Sequence, residues 1–491
     1  MRLICLLFSL ACLSAIQAQP GAPAPYGVIP SERQLKWHEM EMYVLVHFTP
    51  TTFENKEWGY GDADPSVFNP TQFDAEQIAA AVKAGGFRGM ILVAKHHDGF
   101  CLWPTKTTPY NISRSPWKNG RGDMVKEFEK ACRKNGLEFG VYCSPWDRNN
   151  PQYGTPEYVN TYRAQLRELY TGYGKLFMSW HDGANGGDGF YGGKRESRTI
   201  DRSVYYGWDT TWAMTRKMQP SATIFSDMGW DVRWVGNERG EAAETSWSTF
   251  TPIPEDGKTK VGPGDMKYDN SPTGTRNGKF WIPAECDVPL RPGWFYHPEQ
   301  DGKVKSATQL FDLYLKSVGR GGCLDLGVAP DTRGLLHEND VKSLAQFGNL
   351  LKKTFEKDMA KTAVITASNT RKSVKNNFGA GKMNDGDRYS YWSTDDSVHS
   401  AEIILEWKED QEFDLLRIRE NIRLGQRVES FAVDAQTPDG WTQIAQATSI
   451  GSARILLLPT YRTKKIRIRI ENCPVAPAIS EIGIFNKPDK E

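Results

Sequence analysis

Cysteine pairs, long apolar runs and a surplus of either charge are all missing from this sequence, and each gap removes a class of protein. Eight cysteines in 491 residues, scattered singly with no CxxC spacing, exclude a zinc ribbon and a dense disulfide scaffold. Lys and Arg number 61 against 60 Asp and Glu, so no bulk field draws the chain to nucleic acid or anionic lipid, and neutral substrates are expected. No stretch approaches the roughly 18 to 20 apolar residues that a membrane span needs. The segment after the first apolar strand, HFTPTTFENK, lacks the glycine-rich turn of a doubly wound nucleotide-binding sheet. No HExxH motif or cysteine accompanies the histidine pair at 96 and 97, so no metal is expected in the site.

What is present is a large globular chain. Its length corresponds to about three domains, or one large barrel with a smaller unit, and 39% hydrophobic with 25% charged residues supports a sizeable core. Of 16 tryptophans, 13 lie between Trp37 and Trp294; indoles among polar neighbours serve as platforms for sugar rings, or as core. Residues 1–18 combine Met1-Arg2, an apolar run from Leu3 to Leu13 and small residues up to Ala18, which reads as a signal peptide cleaved near Ala18 and an exported protein, periplasmic or extracellular. A lipoprotein built on Cys12 is the alternative. The six cysteines beyond residue 18 are expected to be free, buried thiols.

Residues 19–350 alternate short β-rich runs with helical stretches, the order of a parallel sheet wrapped by helices. Strands are expected at 43–48, 89–94, 138–143, 176–181, 222–226 and 323–326, with helices at 74–84, 123–135 and 156–173. Nearly every strand runs into a polar or aromatic cluster, which favours a (β/α)8-type barrel whose active site lies at the C-terminal strand ends. Residues 351–364 read as a helical connector. From 365 to 491 apolar and polar residues alternate at period two between turn clusters, the pattern of an antiparallel β-sandwich.

KHHDGFCLWP, from Lys95, places two imidazoles at a strand end, suited to donate to sugar hydroxyls or to serve structure. WHDGANGG, from Trp180, delivers the Asp182 carboxylate to a strand end before flexible glycines, and Asp227 and Glu238 are further acids near strand ends. Glycoside hydrolysis needs two carboxyls, one to attack or activate water and one to protonate the leaving oxygen. The segment between WHDGANG and VGNE, including residues 187–212, is long and rich in Gly, Tyr and Arg; it is either a lid over leaving-group sugars or a solvated loop.

The ordered series HFTP, EWGYG, KHHDGFCLWPTKTT, SPWKNGRGDMV, GVYCSPWDRN, WHDGANG, VGNERG and PAECDVPLRPGWFYH resembles the α-L-fucosidases of glycoside hydrolase family 29, over roughly residues 30 to 350. VGNE and AECDV…RPGWFYH resemble the subgroup acting on α-1,3/1,4-linked fucose. The C-terminal region, with MNDGDRYSYWS and ENIRLGQRVESFAVD, is similar to discoidin-like carbohydrate-binding modules. The resemblance implies a retaining exo-α-L-fucosidase acting on fucosylated glycans, with Asp182 as nucleophile and Glu238 as general acid/base. It implies fucose-binding roles for His47, Glu57, Trp58, His96, His97, Tyr142, Trp180 and Arg233. Glu241, Glu244 and Glu285 are acids near the acid/base position that compete for its assignment. Two other functions stay open: a non-catalytic carbohydrate-binding protein, and an exo-glycosidase for another sugar. No cofactor is required for such catalysis; Asp385 and Asp387 are candidate oxygens for a structural Ca²⁺ in the C-terminal region, and Trp392, Trp407 and Trp441 are either sugar platforms or core.

Overall fold

The computed structural model describes residues 21–373 and 376–488; the expected signal peptide, with Cys5 and Cys12, lies outside the described residues. Eight parallel strands close into a barrel: β1 (Met42–Val46), β2 (Gly89–Lys95), β3 (Glu138–Cys143), β4 (Met178–Trp180), β5 (Thr223–Ser226), β6 (Val232–Trp234), β7 (Ala284–Pro289) and β8 (Cys323–Val328), with β8 returning to pair with β1. Strands such as MYVLV and GMILVAK are buried along their whole length, as both faces of a barrel wall demand. Helix α1 (Glu32–Met40) precedes the barrel, and α2 (Ala75–Ala84), α3 (Met124–Asn135), α4 (Pro156–Gly172), α5 (Trp208–Met218), α6 (Ala307–Ser317) and α7 (Glu338–Phe355) wrap it. Asp74 and Asp123 cap α2 and α3 by accepting from backbone N–H groups of the first turn.

The barrel departs from eight regular repeats on one side. Only a turn, residues 227–231, separates β5 from β6, and residues 235–283 join β6 to β7 without an α-helix. Two strands escaped the sequence reading there: β6 has three residues, and β7, AECDVP, places two acids and a proline in a strand. The expected helical connector is not a separate element. Residues 351–355 complete α7, and a short 3-10 turn spans Met359–Thr362.

The C-terminal unit is antiparallel, with β9 (Val364–Ala367), β10 (Trp392–Ser393), β11 (Ala401–Glu420), β12 (Ser430–Thr437), β13 (Gly440–Ala447), β14 (Arg454–Asn472) and β15 (Ala478–Phe485). The long strands β11 and β14 pair along most of their length; one half of β11 also takes β9, the other half β15. Register shifts after Glu406 and Phe413 mark irregularities in this ladder. Ile403, Leu405, Leu416, Ile418, Ile468 and Ile482 from these strands share one apolar core.

This unit is fastened to the underside of the barrel. Glu41 precedes β1, and its carboxylate meets Arg419 at 2.8 Å and Arg388 at 3.3 Å; Ser452 Oγ donates to the Gly321 carbonyl, just before β8. Leu415, Ile455 and Phe485 join the core outside the barrel wall, and Phe485 packs edge-on against Phe355. Glu41 itself sits at φ 59°, a strained conformation for a non-glycine residue, held at this seam. All six described cysteines are free and buried, as expected.

Candidate active site

At the opposite, C-terminal end of the strands lies a cavity of about 310 Å³. Its lining includes His47, Glu57, Trp58, His96, His97, Tyr142, Trp180, Asp182 and Glu238, every residue expected there from sequence except Arg233. The barrel does this directly: His47 follows β1, His96 and His97 follow β2, Tyr142 ends β3, and Trp180 ends β4 two residues before Asp182.

Asp182 is held from two sides. Its Oδ2 accepts the Tyr142 hydroxyl at 2.8 Å and its Oδ1 the Ala184 N–H at 2.6 Å. Burial pushes its acid constant up against these stabilising bonds. The carboxylate remains partly open, its side chain 21% exposed, with His97 Nε2 at 3.7 Å. Ser144 Oγ donates to the Trp146 carbonyl, so it accepts from His97 Nδ1 at 2.7 Å; that assigns the proton to Nδ1 and leaves Nε2 an acceptor. Burial and the neighbouring cations Arg148 and Lys95 hold His97 down to about 3, and burial with His97 does the same for His47. His96 is lowered further by the same means. The three imidazoles are therefore neutral, and Nδ1 of His47 and of His96 has no protein partner. Neutral imidazoles, able both to donate and to accept, suit hydroxyl groups.

The aromatic walls divide between packing and surface. Trp180 stacks on Phe225 with centroids 4.0 Å apart and donates to Glu285 Oε1 at 2.6 Å. Trp58 is half exposed at the rim, edge-on to His97 and Trp146. Trp234 and Trp294 also line the cavity, whereas Trp37, Trp103, Trp117, Trp208, Trp212 and Trp281 are core. The tryptophans thus divide between the cavity wall and the core. Glu57 props up the 293–297 loop, accepting from the Trp294 N–H at 2.5 Å and contacting His297 Nε2 at 3.0 Å.

Glu238 sits in a turn after β6, facing solvent on the cavity wall. Desolvation, with the charges of Asp182 and Glu57, raises its acid constant, partly offset by a bond from Trp294. The competing acids are engaged elsewhere: Glu241 pairs with Lys316, Glu244 with Arg320 and Arg454, and Glu285 lies inside the barrel beneath Trp180, bonded to Tyr43.

Arg233 is not brought to the cavity. It is fully buried and donates to the carbonyls of Ser271, Ile282 and Trp247, tying down the 235–283 segment. Strand alternation explains this: Val232 and Trp234 point into the barrel, so Arg233 points away. The sequence reading also missed Tyr268, Asp287 and Arg202, which line the cavity from that segment, from β7 and from the loop before α5. Asp287 accepts from Trp234 Nε1 at 2.7 Å.

Residues 187–212 are neither a free lid nor a plain solvated loop. Strands 187–189 and 196–198 form a hairpin pinned by Arg148 to the Asp188 carbonyl, Arg198 to the Pro151 and Tyr153 carbonyls, and Arg195 to Asp62. From Trp208 the segment is already α5.

Paired carboxyl groups in a pocket of neutral hydrogen-bonding side chains, on a closed barrel, agree with the sequence comparisons. Residues 24–356 match the family described as Alpha-L-fucosidase. The chain belongs to the α-L-fucosidase family. It is 37% identical to Alpha-L-fucosidase 1 of Arabidopsis thaliana over 97% of this chain and 92% of that protein. Among solved structures, a glycoside hydrolase 29 family member from an unknown rumen bacterium superposes with TM-score 0.83 and 39% identity, covering 95% of this chain and 79% of that one. A Ruminococcus gnavus glycoside hydrolase 29 fucosidase in complex with fucose gives TM-score 0.86 and 30% identity, covering 96% and 97%. As an α-L-fucosidase the protein is a glycoside hydrolase, and the family matches disfavour the binding-protein and other-sugar alternatives.

In the C-terminal unit, Trp392 and Trp407 are core, and Trp441 carries Arg467 over its ring at 4.8 Å. Asp385 is engaged in its own turn by Ser390, Lys382 and the Asp387 N–H. Asp387 accepts from the Tyr389 N–H. Among the described residues no group of three or more His, Cys, Asp or Glu is arranged to hold a metal. No described helix is long and apolar enough to cross a membrane.

Proposed function

We propose that the protein is an exported, retaining exo-α-L-fucosidase that releases terminal L-fucose, α-1,3/1,4-linked, from branched glycans. The observation that carries this reading is that Asp182 and Glu238, from separate strand ends, line one small cavity, where the charge of Asp182 helps raise the acid constant of Glu238. In the first step an Asp182 oxygen attacks the anomeric carbon as the glycosidic bond breaks, and Glu238 gives its proton to the departing oxygen. Tyr142 and the Ala184 N–H fix the carboxylate that becomes the ester. In the second step Glu238, now ionised, takes a proton from water, whose oxygen displaces Asp182 from the same carbon. Two inversions restore the original configuration. The raised acid constant of Glu238 favours the protonated form needed first, and loss of that proton in the first step prepares the base for the second.

His47, His96, His97 and Glu57 supply hydrogen bonds to the ring hydroxyls, while Trp58 and Trp180 cover apolar faces. The C-terminal unit, bonded to Glu41 before β1 and to Ser246 and Ser248 of the 235–283 segment, serves as a buttress. The reaction needs only these side chains and water. The test is digestion of a branched Lewis-type trisaccharide and an aryl α-L-fucoside, followed by proton NMR of the first-formed sugar. Free L-fucose appearing first as the α-anomer, with the trisaccharide preferred, is expected. A β-first product overturns retention, and preference for the aryl fucoside overturns the linkage assignment.

A further inference from the structure

Beside the fucose pocket opens a second hollow of about 740 Å³, lined by residues 200–204, 255, 257–260, 264 and 265. The two share Arg202 and Gly264, which therefore stand between groove and pocket. Its charged residues carry both signs, with Lys258 and Asp265 paired to each other, a surface suited to a hydroxyl-rich chain rather than to an ion.

The wall between pocket and groove is tied to the nucleophile's loop at one point. Asp227, at the end of β5, accepts the Gly264 N–H at 3.0 Å and the Tyr268 hydroxyl at 2.6 Å, both on Oδ2. Arg202 donates to the Gly264 carbonyl at 2.9 Å, and Asn185 donates to the carbonyls of Gly183 and Pro263. There is no slack in this junction. A Cβ on Gly183 would lie 1.9 Å from an Asp227 carboxylate oxygen, and one on Gly264 would lie 2.1 Å from the Gly183 carbonyl oxygen. Asp227 is buried and forms no salt bridge among those found for the described residues, and the two chemical steps have no use for a third carboxyl. Burial and the charge of Asp182 lift its acid constant to about 6, so its place beside the nucleophile is not free of cost.

We propose that Asp227 is a positioning residue for the leaving group: by holding Gly264 and Tyr268 against the nucleophile's loop, it sets the entrance of a groove that receives the oligosaccharide from which fucose is cut. The inference rests on Asp182 being the nucleophile and the pocket holding fucose. A rigid wall here aligns a large leaving group with Glu238, whereas a small aglycone gains little from it.

The test compares kcat and KM of wild type, Asp227→Ala, Asp227→Asn and Tyr268→Phe on an aryl fucoside and on a branched fucosyl trisaccharide. Asp227→Ala is expected to lower kcat/KM for the trisaccharide about ten-fold more than for the aryl fucoside, mainly through KM, the size of a lost hydrogen-bonded latch. Asp227→Asn keeps an acceptor for both donors and should return the ratio to within about three-fold of wild type. Tyr268→Phe should shift the ratio in the same direction as Asp227→Ala, which keeps the idea testable if the alanine variant does not fold. Equal losses on both substrates, an unmoved ratio, or an asparagine variant as impaired as the alanine one would overturn it. Undiminished aryl fucoside turnover in Asp182→Gly would instead sink the nucleophile assignment beneath it.

Discussion

The two ends of the barrel treat buried acids in opposite ways. At the seam with the C-terminal unit, burial would raise the acid constant of Glu41, yet Arg419, Arg388, Arg417 and Arg88 outweigh it and hold the carboxyl at about 2. At the mouth, burial prevails: Asp227 rises to about 6, Asp182 and Glu238 are raised, and beneath them Glu285, Asp287 and Asp325 are all pushed up with no cation bonded to them. Asp287 and Asp325 face each other in register on β7 and β8. At the seam Glu41 is held ionised by arginine, whereas at the mouth the acids are left without a cation and burial favours their protonated form.

The strongest way to break this contrast is to remove the uncompensated charges. Asp182→Gly should lower kcat for an aryl fucoside by about four orders of magnitude or more, because no other group stands ready to form the ester. Steady-state assay with exhaustive substrate checks it, and activity within about ten-fold of wild type would deny Asp182 its role. Glu238→Gln should cost about a hundred- to a thousand-fold on the trisaccharide, whose leaving sugar needs a proton, and less on an aryl fucoside with an acidic phenol. In wild type, activity should fall at low pH as Asp182 takes up a proton and at high pH as Glu238 loses one. The Gln variant should therefore lose the alkaline limb of its kcat/KM profile and keep the acid limb.

How much of this could be read in the sequence depends on what each residue does. Strands β1 to β5 declare themselves, since runs such as GMILVAK are apolar throughout and end at a polar cluster. β7 does not, because its acids point into the barrel, where burial raises both, a packing no hydrophobicity pattern anticipates. The site histidines, Tyr142 and Asp182 were legible because strand ends converge in a barrel whatever the loops do. Arg233, assigned by resemblance alone, lies on the outward face of a three-residue strand, which no sequence motif reveals. Asp227 was visible as an acid but not as a latch, since its partners Gly264 and Tyr268 lie in a long segment without helix.

At the seam the same logic predicts loss of stability with chemistry spared. Arg419 is buried, bonded to Glu41 and the Ser452 carbonyl, and 3.0 Å from Glu481, so Arg419→Ala leaves two carboxylates undercompensated and should cost about 3 kcal/mol. Urea unfolding measures it; the folded variant should keep aryl fucoside kcat/KM within about two-fold. The pH dependence has a sign at each end. The folded acid constant of Glu41 lies below its ordinary value of 4.5, so its contribution is full above about pH 4.5 and disappears as pH falls toward 2. Asp227 is raised from 3.8 to about 6, so its contribution is full below about pH 4 and lost as pH rises through 6. Arg419→Ala should flatten the acid limb of wild-type stability and leave the neutral limb alone; an unchanged acid limb would mean that Glu41 is not what titrates there.

The smallest effect is expected at Trp58, and it tests the mouth from outside. This indole is 49% exposed, packs only its edge on His97 and Trp146, and belongs to no hydrophobic core cluster, so the fold gains little from it. A large apolar face left in water at the rim of a pocket of neutral hydrogen-bonding groups is costly unless a ligand covers it, and a sugar's C–H face can do so. Trp58→Ala should therefore raise KM about ten-fold while moving Tm by less than about 2 °C, since the lost stacking is worth roughly 1 kcal/mol and appears only with substrate bound. Phe at the same position should recover most of that affinity, because a ring restores the face without the indole N–H. If Trp58→Ala lowers Tm and leaves KM unchanged, the residue belongs with the cohesive end of the molecule despite its position, and the division between the two ends fails at its most exposed point.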